Sequence, residues 1–353
     1  MAVNRKRLVF FERWFDPVAE RILSAQEDIE LIRLRYAEDV ADSWGALSTA
    51  CGYQVSARTE LMPPWFGDGA LIARCPRLLA MSSTGAGHDV IDVDACTRAG
   101  VLVVNQSGTN SEPVAEHAIG LILSLSKRIG LTGRALLKGT ANDRYAMIGN
   151  DIKGKTVGIV GIGQIGRLTA KYANAFDMRV IAYDPYLTEQ QVAGRGAAKV
   201  AFATLLAEAD FISVHCPRNA ETLGMFGVEE FARMKPTAYF INTARGMIHQ
   251  ENALLAALRS GQIAGAGIDV FDVEPPPPDH PLLHLDTVVA TPHIAGATFE
   301  ASHAMSKAAA EQWIALLRGH VPPRLVNPEA WPLYAERFAA IVGHRPDPLD
   351  RQV

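Results

Sequence analysis

Cysteine is scarce in this chain of 353 residues, which contains only four. They lie far apart, at Cys51, Cys75, Cys96 and Cys216, without a Cys-x-x-Cys pair or a Cys/His pair at the spacing of zinc ligands. The spacing indicates neither a disulfide framework nor a metal centre, so we expect no metal and reduced thiols in a cytoplasmic protein. Four small buried apolar side chains would explain the same pattern.

Long apolar runs and an excess of positive charge are also absent. No run of about 18 residues is free of charged and turn-forming residues, so the sequence predicts no membrane span. The apolar run near the N-terminus, Leu8–Phe11, is too short for a secretory signal. Lys and Arg total 34 against 38 Asp and Glu, a net charge of −4. This charge argues against a nucleic-acid partner, because such binding depends on basic clusters.

Short apolar runs alternate with helix-like segments along almost the whole chain, whose length fits about two domains. The apolar runs predict strands at Leu8–Phe11, Ile29–Leu34, Leu78–Met81, Val101–Val104, Thr156–Val160, Arg179–Tyr183, Phe211–His215, Tyr239–Asn242, Gly265–Val270 and Thr287–Ala290. Helices are predicted at Pro17–Glu27, Asp92–Ala99, Pro113–Arg128, Ile165–Ala175, Asn252–Ser260 and Thr298–Gly319. This alternation is typical of parallel sheets covered by helices on both faces, so we predict two Rossmann-like α/β blocks.

A glycine-rich turn follows one predicted strand and opens a helix, with the pattern Gly-x-Gly-x-x-Gly at Gly161, Gly163 and Gly166. The first glycine permits a tight turn, the second lets the backbone approach a pyrophosphate, and the third allows the strand and helix to pack closely. The helix N-terminus offers free N–H groups to the phosphates. In this context the motif predicts a dinucleotide-binding site, although a plain turn would also use glycines.

Asp184 ends the next strand, 18 residues after Gly166. A carboxylate at this position can accept hydrogen bonds from both ribose hydroxyls of the adenosine half. The same charge would repel a 2′-phosphate, and neither Pro185 nor Tyr186 brings a positive charge to neutralise one. We therefore expect NAD rather than NADP. The alternative for Asp184 is a residue that forms the turn at the strand end.

Three polar residues follow apolar strands in the second half of the chain: Arg245, Glu274 and His293. The carboxyl ends of strands line the ligand crevice of a parallel α/β sheet. There, a guanidinium can grip a carboxylate or carbonyl, and an imidazole can exchange a hydroxyl proton. A carboxylate beside that imidazole holds one tautomer and favours the cation. The set therefore suits the oxidation of a 2-hydroxy acid.

Each of the three residues also has an ordinary structural explanation. Arg245 could form a surface ion pair, Glu274 could open the proline-rich turn at Pro275–Pro278, and His293 could be a structural histidine. The ordered set, downstream of a dinucleotide-binding turn, is more specific than any one of its members.

Several sequence blocks match those of a known family in their order along the chain: Gly87–Asp92, Val114–His117, Gly154–Gly161, Asn242–Gly246, Asp269–Pro275 and Thr291–Gly296. On these blocks the chain resembles the D-isomer-specific 2-hydroxyacid dehydrogenases, which include D-3-phosphoglycerate, glyoxylate/hydroxypyruvate and D-lactate dehydrogenases. The resemblance implies two doubly wound parallel-sheet α/β domains, with the NAD domain inserted into the substrate domain. It implies a substrate domain at 1–107 and 297–330, an NAD-binding Rossmann domain at 108–296 and a C-terminal tail at 331–353.

The resemblance also implies roles for the three polar residues. Arg245 is expected to bind the substrate carboxylate and carbonyl, His293 to donate the proton in reduction and accept it in oxidation, and Glu274 to partner His293. The loop that holds the substrate carboxylate through its N–H groups is implied at Ser83, Thr84, Gly85, Ala86 and Gly87.

The expected cofactor-binding residues are distributed over several turns. The resemblance places Gln164 and Ile165 at the pyrophosphate and Cys216 and Pro217 under the adenine half. It places Asp269 at the nicotinamide carboxamide. The residues on the nicotinamide ribose side are Thr243, Ala244 and Arg245. The set also includes the three glycines, Asp184, Thr222, His293, Ala295 and Gly296.

The resemblance therefore implies an NAD-dependent enzyme that interconverts a 2-keto acid and a D-2-hydroxy acid. It further implies a homodimer, formed by pairing of the helical stretch Ser111–Gly130 with its twofold mate. Phosphite oxidation on the same scaffold stays open, whereas formate enzymes have an amide where this chain has Glu274. A further alternative is an NAD-sensing protein resembling corepressors of this fold. Asn105–Gly108 and His88 depart from the family pattern, which leaves the substrate open.

Overall fold

The computed structural model describes residues 5–58 and 60–349. The chain divides into two compact units. Unit 1 consists of residues 1–110 and 297–353, and unit 2 consists of residues 111–296, so the chain of unit 2 interrupts that of unit 1.

The elements that position the site are strands and helices in regular alternation. The strands are β1 (Lys6–Phe11), β2 (Ile29–Leu34), β3 (Gly52–Val55), β4 (Ala80–Ser83), β5 (Leu102–Val104), β6 (Thr156–Val160), β7 (Arg179–Tyr183), β8 (Ala198–Lys199), β9 (Phe211–Val214), β10 (Tyr239–Asn242), β11 (Gly265–Ile268) and β12 (Val288–Ala290). The helices are α1 (Val18–Ser24), α2 (Val40–Leu47), α3 (Gly69–Arg74), α4 (Val93–Ala99), α5 (Ser111–Ser126), α6 (Ile129–Leu137), α7 (Gln164–Ala175), α8 (Glu189–Ala193), α9 (Phe202–Glu208), α10 (Val228–Arg233), α11 (Glu251–Ser260), α12 (Phe299–Arg318) and α13 (Trp331–Val342).

Each unit contains one parallel sheet. The sheet of unit 1 has the strand order β2-β1-β3-β4-β5, and that of unit 2 has the order β12-β11-β10-β9-β6-β7-β8. Both orders reverse direction next to the first strand of the unit, which is the arrangement of doubly wound folds. The predicted fold class, two doubly wound parallel-sheet α/β domains, is confirmed.

Local chemistry explains where two of the helices, α4 and α12, begin and end. The Asp92 side chain accepts a hydrogen bond from the backbone N–H of Ala95, and helix α4 stops where Gly100 takes a positive φ of 65°. The Thr298 side chain caps α12 in the same way, and Gly319 ends that helix at a φ of 87°. Side-chain caps satisfy free N–H groups at the first turn, and glycine adopts the left-handed conformation at low cost.

Helix α12 supplies the large side chain around which one face of the unit 1 sheet packs. Trp313 is fully buried, and its Nε1–H donates to the Gln54 side chain on β3 at 2.7 Å. A Cβ at Gly52 would lie 2.5 Å from the indole, so only glycine allows this approach. Helix α13 adds Tyr334 and Phe338 to the same core. Residues 331–342 are thus helical, within the segment 331–353 that the family resemblance implied to be a C-terminal tail.

Helix α5 is buried within its own unit and packs against α7 and against strands β10, β11 and β12. Its apolar side chains, among them Ala118 and Ile122, lie in the core of unit 2. Several exposed apolar side chains lie further along, on α6 and the segment that follows it: Ile129, Leu136, Leu137, Tyr145 and Ile148. Among the described residues, no helix is long and apolar enough to cross a membrane.

The register of the unit 2 sheet determines where the site lies. The last residues of β12, β11, β10, β9, β6 and β7 are direct neighbours across the sheet. The residues that directly follow these six strands therefore form one row at the carboxyl edge of the sheet. In sheet order, the row is Thr291, Asp269, Thr243, His215, Gly161 and Asp184.

Candidate active site

The glycine turn connects β6 to α7 and has a different steric requirement at each glycine. Gly161 has a φ of 86°, and a Cβ there would lie 2.8 Å from the backbone nitrogen of Cys216. A Cβ at Gly166 would lie 2.3 Å from the carbonyl oxygen of Gly161. At Gly163, by contrast, a Cβ would meet no atom within 4 Å. Gly161 and Gly166 are therefore required by packing, whereas Gly163 faces open space at the start of the helix.

Asp184 lies beside this turn and is hydrogen-bonded to it. Its carboxylate accepts hydrogen bonds from the backbone N–H groups of Ile162 at 3.2 Å and of Tyr186 at 3.1 Å. Each carboxylate oxygen accepts more than one hydrogen bond, so these contacts fix its orientation and leave acceptor capacity for a sugar hydroxyl.

The loop after β9 carries three further residues predicted at the cofactor. The backbone of Cys216 packs against Gly161, and burial raises the pKa of the Cys216 thiol to about 11. The Thr222 hydroxyl donates to the carbonyl of Pro217 at 2.6 Å and accepts from the backbone N–H of Asn219 at 2.9 Å. The Thr222 side chain therefore stabilises the loop conformation.

The residues of unit 2 fit a bound dinucleotide. The first turn of α7, with Gln164 and Ile165, presents N–H groups next to the open side of Gly163. Asp184 adds a fixed carboxylate at the adjacent strand end. The Thr243 hydroxyl, buried at the same edge, has no hydrogen-bond partner among residues 5–58 and 60–349. A buried polar atom without a partner is costly, and a ligand at this edge would satisfy it.

Arg245, Glu274 and His293 follow β10, β11 and β12, so all three lie beyond the carboxyl edge of one sheet. Glu274 Oε2 lies 2.8 Å from His293 Nδ1, and Glu274 Oε1 accepts from the backbone N–H of Phe271 at 3.0 Å. The structure therefore brings the predicted acid–base pair into direct contact. The Arg245 guanidinium donates to the carbonyl of Ala244 at 2.6 Å.

Opposing effects set the charge of Glu274. Burial by itself raises its pKa, but the hydrogen bond and charge of His293, the N–H of Phe271 and the charge of Arg245 outweigh burial and hold the pKa below its ordinary value. Glu274 is therefore ionised at neutral pH. A carboxylate only accepts hydrogen bonds, so His293 Nδ1 carries a proton and Nε2 is the nitrogen that gains or loses one.

The backbone around His293 is held by a single buried carboxylate. His293 has a φ of 55°, a left-handed conformation that is uncommon for residues other than glycine. The fully buried Asp269 accepts from the N–H groups of Ile294 and Ala295, each at 2.9 Å, and from the Thr291 hydroxyl at 2.6 Å. The carbonyl of Asp269 accepts from the N–H of His293 at 2.8 Å. Asp269 thus fixes the turn that carries the imidazole; its expected role at the carboxamide stays a prediction.

The turn that carries Arg245 is fixed in a similar way by Asn242. The Asn242 amide accepts from the N–H of Ala244 at 2.9 Å and donates to the carbonyl of Arg245 at 2.9 Å. His249 lies 3.0 Å from the same amide and is fully buried. Burial lowers the pKa of His249 to about 4, so its ring is neutral and can accept from the amide. The sequence analysis gave no role to Asn242 or His249.

The predicted substrate loop lies in unit 1 and starts at the end of β4. The Ser83 hydroxyl donates to the carbonyl of Gly85 at 2.9 Å, and the Thr84 hydroxyl donates to the carbonyl of Val55 at 2.7 Å. The carbonyl of Ala86 accepts from the Asn105 side chain at 2.9 Å. The contacts within unit 1 thus fix Ser83–Ala86. The trio belongs to unit 2, and the role of Ser83–Gly87 stays a prediction.

Comparison with known proteins identifies the family. The family model described as D-isomer specific 2-hydroxyacid dehydrogenase, NAD binding domain, matches residues 119–295. A glyoxylate reductase from Korarchaeum cryptofilum is 40% identical over 265 residues, which are 74% of this chain and 80% of the relative. The chain belongs to the D-isomer specific 2-hydroxyacid dehydrogenase family.

Two further relatives support membership in this dehydrogenase family. A D-3-phosphoglycerate dehydrogenase from Archaeoglobus fulgidus is 40% identical over 260 residues, which cover 74% of this chain but only 49% of that protein. The crystal structure of a D-lactate dehydrogenase from Aquifex aeolicus, complexed with NAD and lactic acid, has a TM-score of 0.78 and 28% identity. That match covers 90% of this chain and 98% of the other. The predictions of the family, of an NAD-dependent dehydrogenase and of NAD as cofactor are confirmed.

The sequence block Val114–His117 contains a histidine, His117, to which the sequence assigned no role. His117, on α5, has its Nε2 atom 3.0 Å from the Thr291 hydroxyl and 3.8 Å from an Asp269 carboxylate oxygen. The sequence signal was a histidine in a mainly apolar helix, and that pattern does not specify a partner 174 residues away.

Proposed function

We propose that the chain interconverts a 2-keto acid and a D-2-hydroxy acid. One observation carries this proposal: the contact of 2.8 Å between Glu274 and His293 lies at the same sheet edge as the glycine turn. NAD, when bound, accepts or supplies the hydride. We further propose that unit 2 is the NAD-binding domain and unit 1 the substrate domain.

His293 exchanges the proton. Glu274 is ionised and accepts from Nδ1, so Nε2 of the cationic ring delivers a proton to the keto oxygen during reduction and recovers it during oxidation. Glu274 keeps the ring in one orientation and favours the cation, which is the form that reduction requires.

Arg245 neutralises the charge of the substrate. Its guanidinium offers a planar set of N–H donors that suits a carboxylate and the adjacent carbonyl oxygen. Negative charge grows on that oxygen as reduction proceeds, so a fixed cation there stabilises the transition state more than the ground state. The Asn242 amide, which bonds to the Arg245 carbonyl, holds this part of the backbone in place. We retain Ser83–Gly87 as the proposed loop for the substrate carboxylate.

The dinucleotide is proposed to bind along the row at the carboxyl edge of unit 2. Gly161, Gly163 and Gly166, with Gln164 and Ile165, would hold the pyrophosphate, and Asp184 would bind the adenosine ribose. Further residues proposed in contact are Cys216, Pro217, Thr222, Thr243, Ala244, Arg245, Asp269, His293, Ala295 and Gly296. The unpartnered Thr243 hydroxyl and the open side of Gly163 support this assignment.

The test of this function is a panel of 2-keto acids, varied in size and charge at C3, with NADH as reductant. We expect turnover of at least one member, with the D-hydroxy acid as product identified by chiral chromatography. NADH fluorescence measures binding separately. A protein that binds NADH but reduces no member of the panel would contradict the proposed activity and favour an NAD-sensing role.

We also propose that the protein forms a homodimer. The exposed apolar side chains of residues 129–148 include Leu137, which is 91% exposed, and Tyr145, which is 86% exposed. Exposed apolar side chains concentrated in one segment are typical of an interaction site, and a second copy of the same chain would cover them. Sedimentation at micromolar concentration should report a dimer. Leu137→Glu is expected to shift the protein towards the monomer, whereas Val228→Glu, at another exposed apolar side chain on α10, should not.

The cytoplasm is the proposed location. All four cysteines are unpaired, and three of them are buried as free thiols, as expected for a reducing compartment.

A further inference from the structure

The carboxylate of Asp269 is buried without any exposed surface, yet it contacts no lysine or arginine among the described residues. It accepts three hydrogen bonds, from the Thr291 hydroxyl and from the N–H groups of Ile294 and Ala295. Two of the three donors belong to the residues directly after His293. The position of the imidazole therefore depends on how firmly Asp269 is held.

The direction of each hydrogen bond around Thr291 follows from counting protons. Its hydroxyl has one proton, and the Asp269 carboxylate can only accept, so the 2.6 Å contact uses that proton. The 3.0 Å contact between Thr291 Oγ1 and His117 Nε2 must then be donated by the histidine. His117 Nε2–H therefore donates to Thr291 Oγ1, and Thr291 Oγ1–H donates to the Asp269 carboxylate.

This chain of hydrogen bonds connects helix α5 to the turn of the catalytic histidine. Donation from His117 polarises the Thr291 hydroxyl and strengthens its bond to the charged carboxylate. His117 Nε2 also lies 3.8 Å from an Asp269 oxygen, and its side chain is partly exposed. It therefore places a hydrogen-bond donor close to a buried carboxylate.

We propose that His117 is a positioning residue for His293 and acts through Thr291 and Asp269. The inference rests on the proposed function, because it assigns His293 to proton transfer. His117 touches neither the catalytic imidazole nor its partner Glu274 directly. It acts by keeping Asp269 in the orientation that holds the left-handed turn at His293, so that the imidazole stays aligned with Glu274.

The test is a double-mutant cycle on His117 and Thr291 in the full-length protein. His117→Leu removes the donor, and His117→Gln keeps an N–H at the place of Nε2. Thr291→Val removes the hydroxyl at nearly constant volume, and Thr291→Ser restores it. We expect His117→Leu and Thr291→Val each to lower kcat for keto-acid reduction by about tenfold, the loss expected for one hydrogen bond to a charged network. The KM for the keto acid should change less than kcat.

The combined variant decides whether the two residues act as one unit. If they do, His117→Leu in the Thr291→Val background lowers kcat no further, and His117→Gln and Thr291→Ser stay within about twofold of the unmutated enzyme. Losses that multiply to about a hundredfold in the combined variant would overturn the proposal. So would a His117→Gln enzyme as impaired as His117→Leu, or a His117→Leu enzyme with unchanged kcat. Thermal unfolding identifies any variant that fails to fold.

A second measurement separates this inference from the proposed reaction. The imidazole nitrogen signals of His293, assigned with the His293→Ala variant, can be followed by NMR without any substrate. They should move in His117→Leu and stay in place in His117→Gln. If no keto acid is reduced, the proposed function fails, but the NMR comparison still decides the role of His117: unchanged signals in both variants would refute it.

Discussion

Replacing Glu274 with glutamine tests the acid–base pair most directly. The Glu274 side chain is 8% exposed and lies 2.8 Å from His293 Nδ1, so the substitution removes a charge but keeps an oxygen that can accept from the ring. A hydrogen bond contributes about 1.5–3 kcal/mol with a charged partner and about 0.5–1.5 kcal/mol with a neutral one, and the difference corresponds to about one pH unit. The imidazole is one-third exposed, so solvent screening keeps the effect from exceeding about one unit.

The sign of this effect follows from the charge of Glu274. Its pKa is lowered, so it is ionised at neutral pH and stabilises the protonated form of His293. Without that charge, the imidazolium loses its proton at lower pH. Reduction requires the cation, so the pH at which the rate of reduction falls to half should decrease by about one unit. Oxidation requires the neutral ring, so the pH at which the rate of oxidation rises to half should also decrease.

The assay is the pH dependence of kcat/KM for keto-acid reduction, followed by NADH absorbance. Glu229→Gln is the matched control, because it removes one carboxylate from an exposed position on α10 and should leave the profile unchanged. An unchanged midpoint in Glu274→Gln, or one that moves to higher pH, would refute the assigned roles. A loss of activity as large as that of a variant without the imidazole would show that the carboxylate does more than orient and charge the ring.

Other substitutions test the rest of the site. His293→Ala should lower keto-acid reduction by about 10²–10⁴-fold with little change in NADH affinity, and a near-normal rate in steady-state kinetics would contradict the general-acid role. Asp184→Ser combined with Tyr186→Arg should raise the ratio of NADPH-dependent to NADH-dependent activity, because a repelling carboxylate is replaced and a cation is added; an unchanged ratio would count against the ribose assignment. Gly163→Ala should weaken NADH binding with an unfolding free energy within about 0.5 kcal/mol of the unmutated protein, since its methyl group faces open space. Gly166→Ala should lower the unfolding free energy by about 1–3 kcal/mol, since its methyl group would lie 2.3 Å from a carbonyl oxygen; chemical denaturation compares the two.

Much of the sheet structure could be predicted because the strands of doubly wound folds are buried on both faces. Thr156–Val160 is fully buried and was predicted with the bounds that the structure has. Strand β3, with the sequence Gly52-Tyr53-Gln54-Val55, was missed because glycine and glutamine weaken the apolar signal. Both residues are explained by Trp313, which packs over Gly52 and donates to Gln54. That side chain is more than 250 residues away along the chain, so no local pattern could reveal the strand.

The reactive residues of the site were predicted more completely than their supports. Their types and their positions after apolar strands are local properties of the sequence. The contacts that hold them are not: Asp269 meets Thr291 only because β11 and β12 pair in one register, and His117 reaches them only because α5 packs on that sheet. The helix Trp331–Val342 was likewise missed. All its residues except Glu336 and Arg337 are apolar or proline, so no polar face marks its period, and the helix is stabilised by the core of unit 1.

The row of residues at the carboxyl edge of unit 2 makes nucleotide binding a test of correct folding. Side chains alternate between the two faces of a strand, so a slip of one residue in β11 would turn Asp269 to the opposite face of the sheet. A slip in β9 would likewise separate Cys216 from Gly161. Six strands must therefore pair in one alignment before the edge is complete. A chain refolded with native-like helix content but one misaligned strand would not bind NADH. The binding stoichiometry in an NADH titration would therefore equal the fraction of correctly assembled molecules.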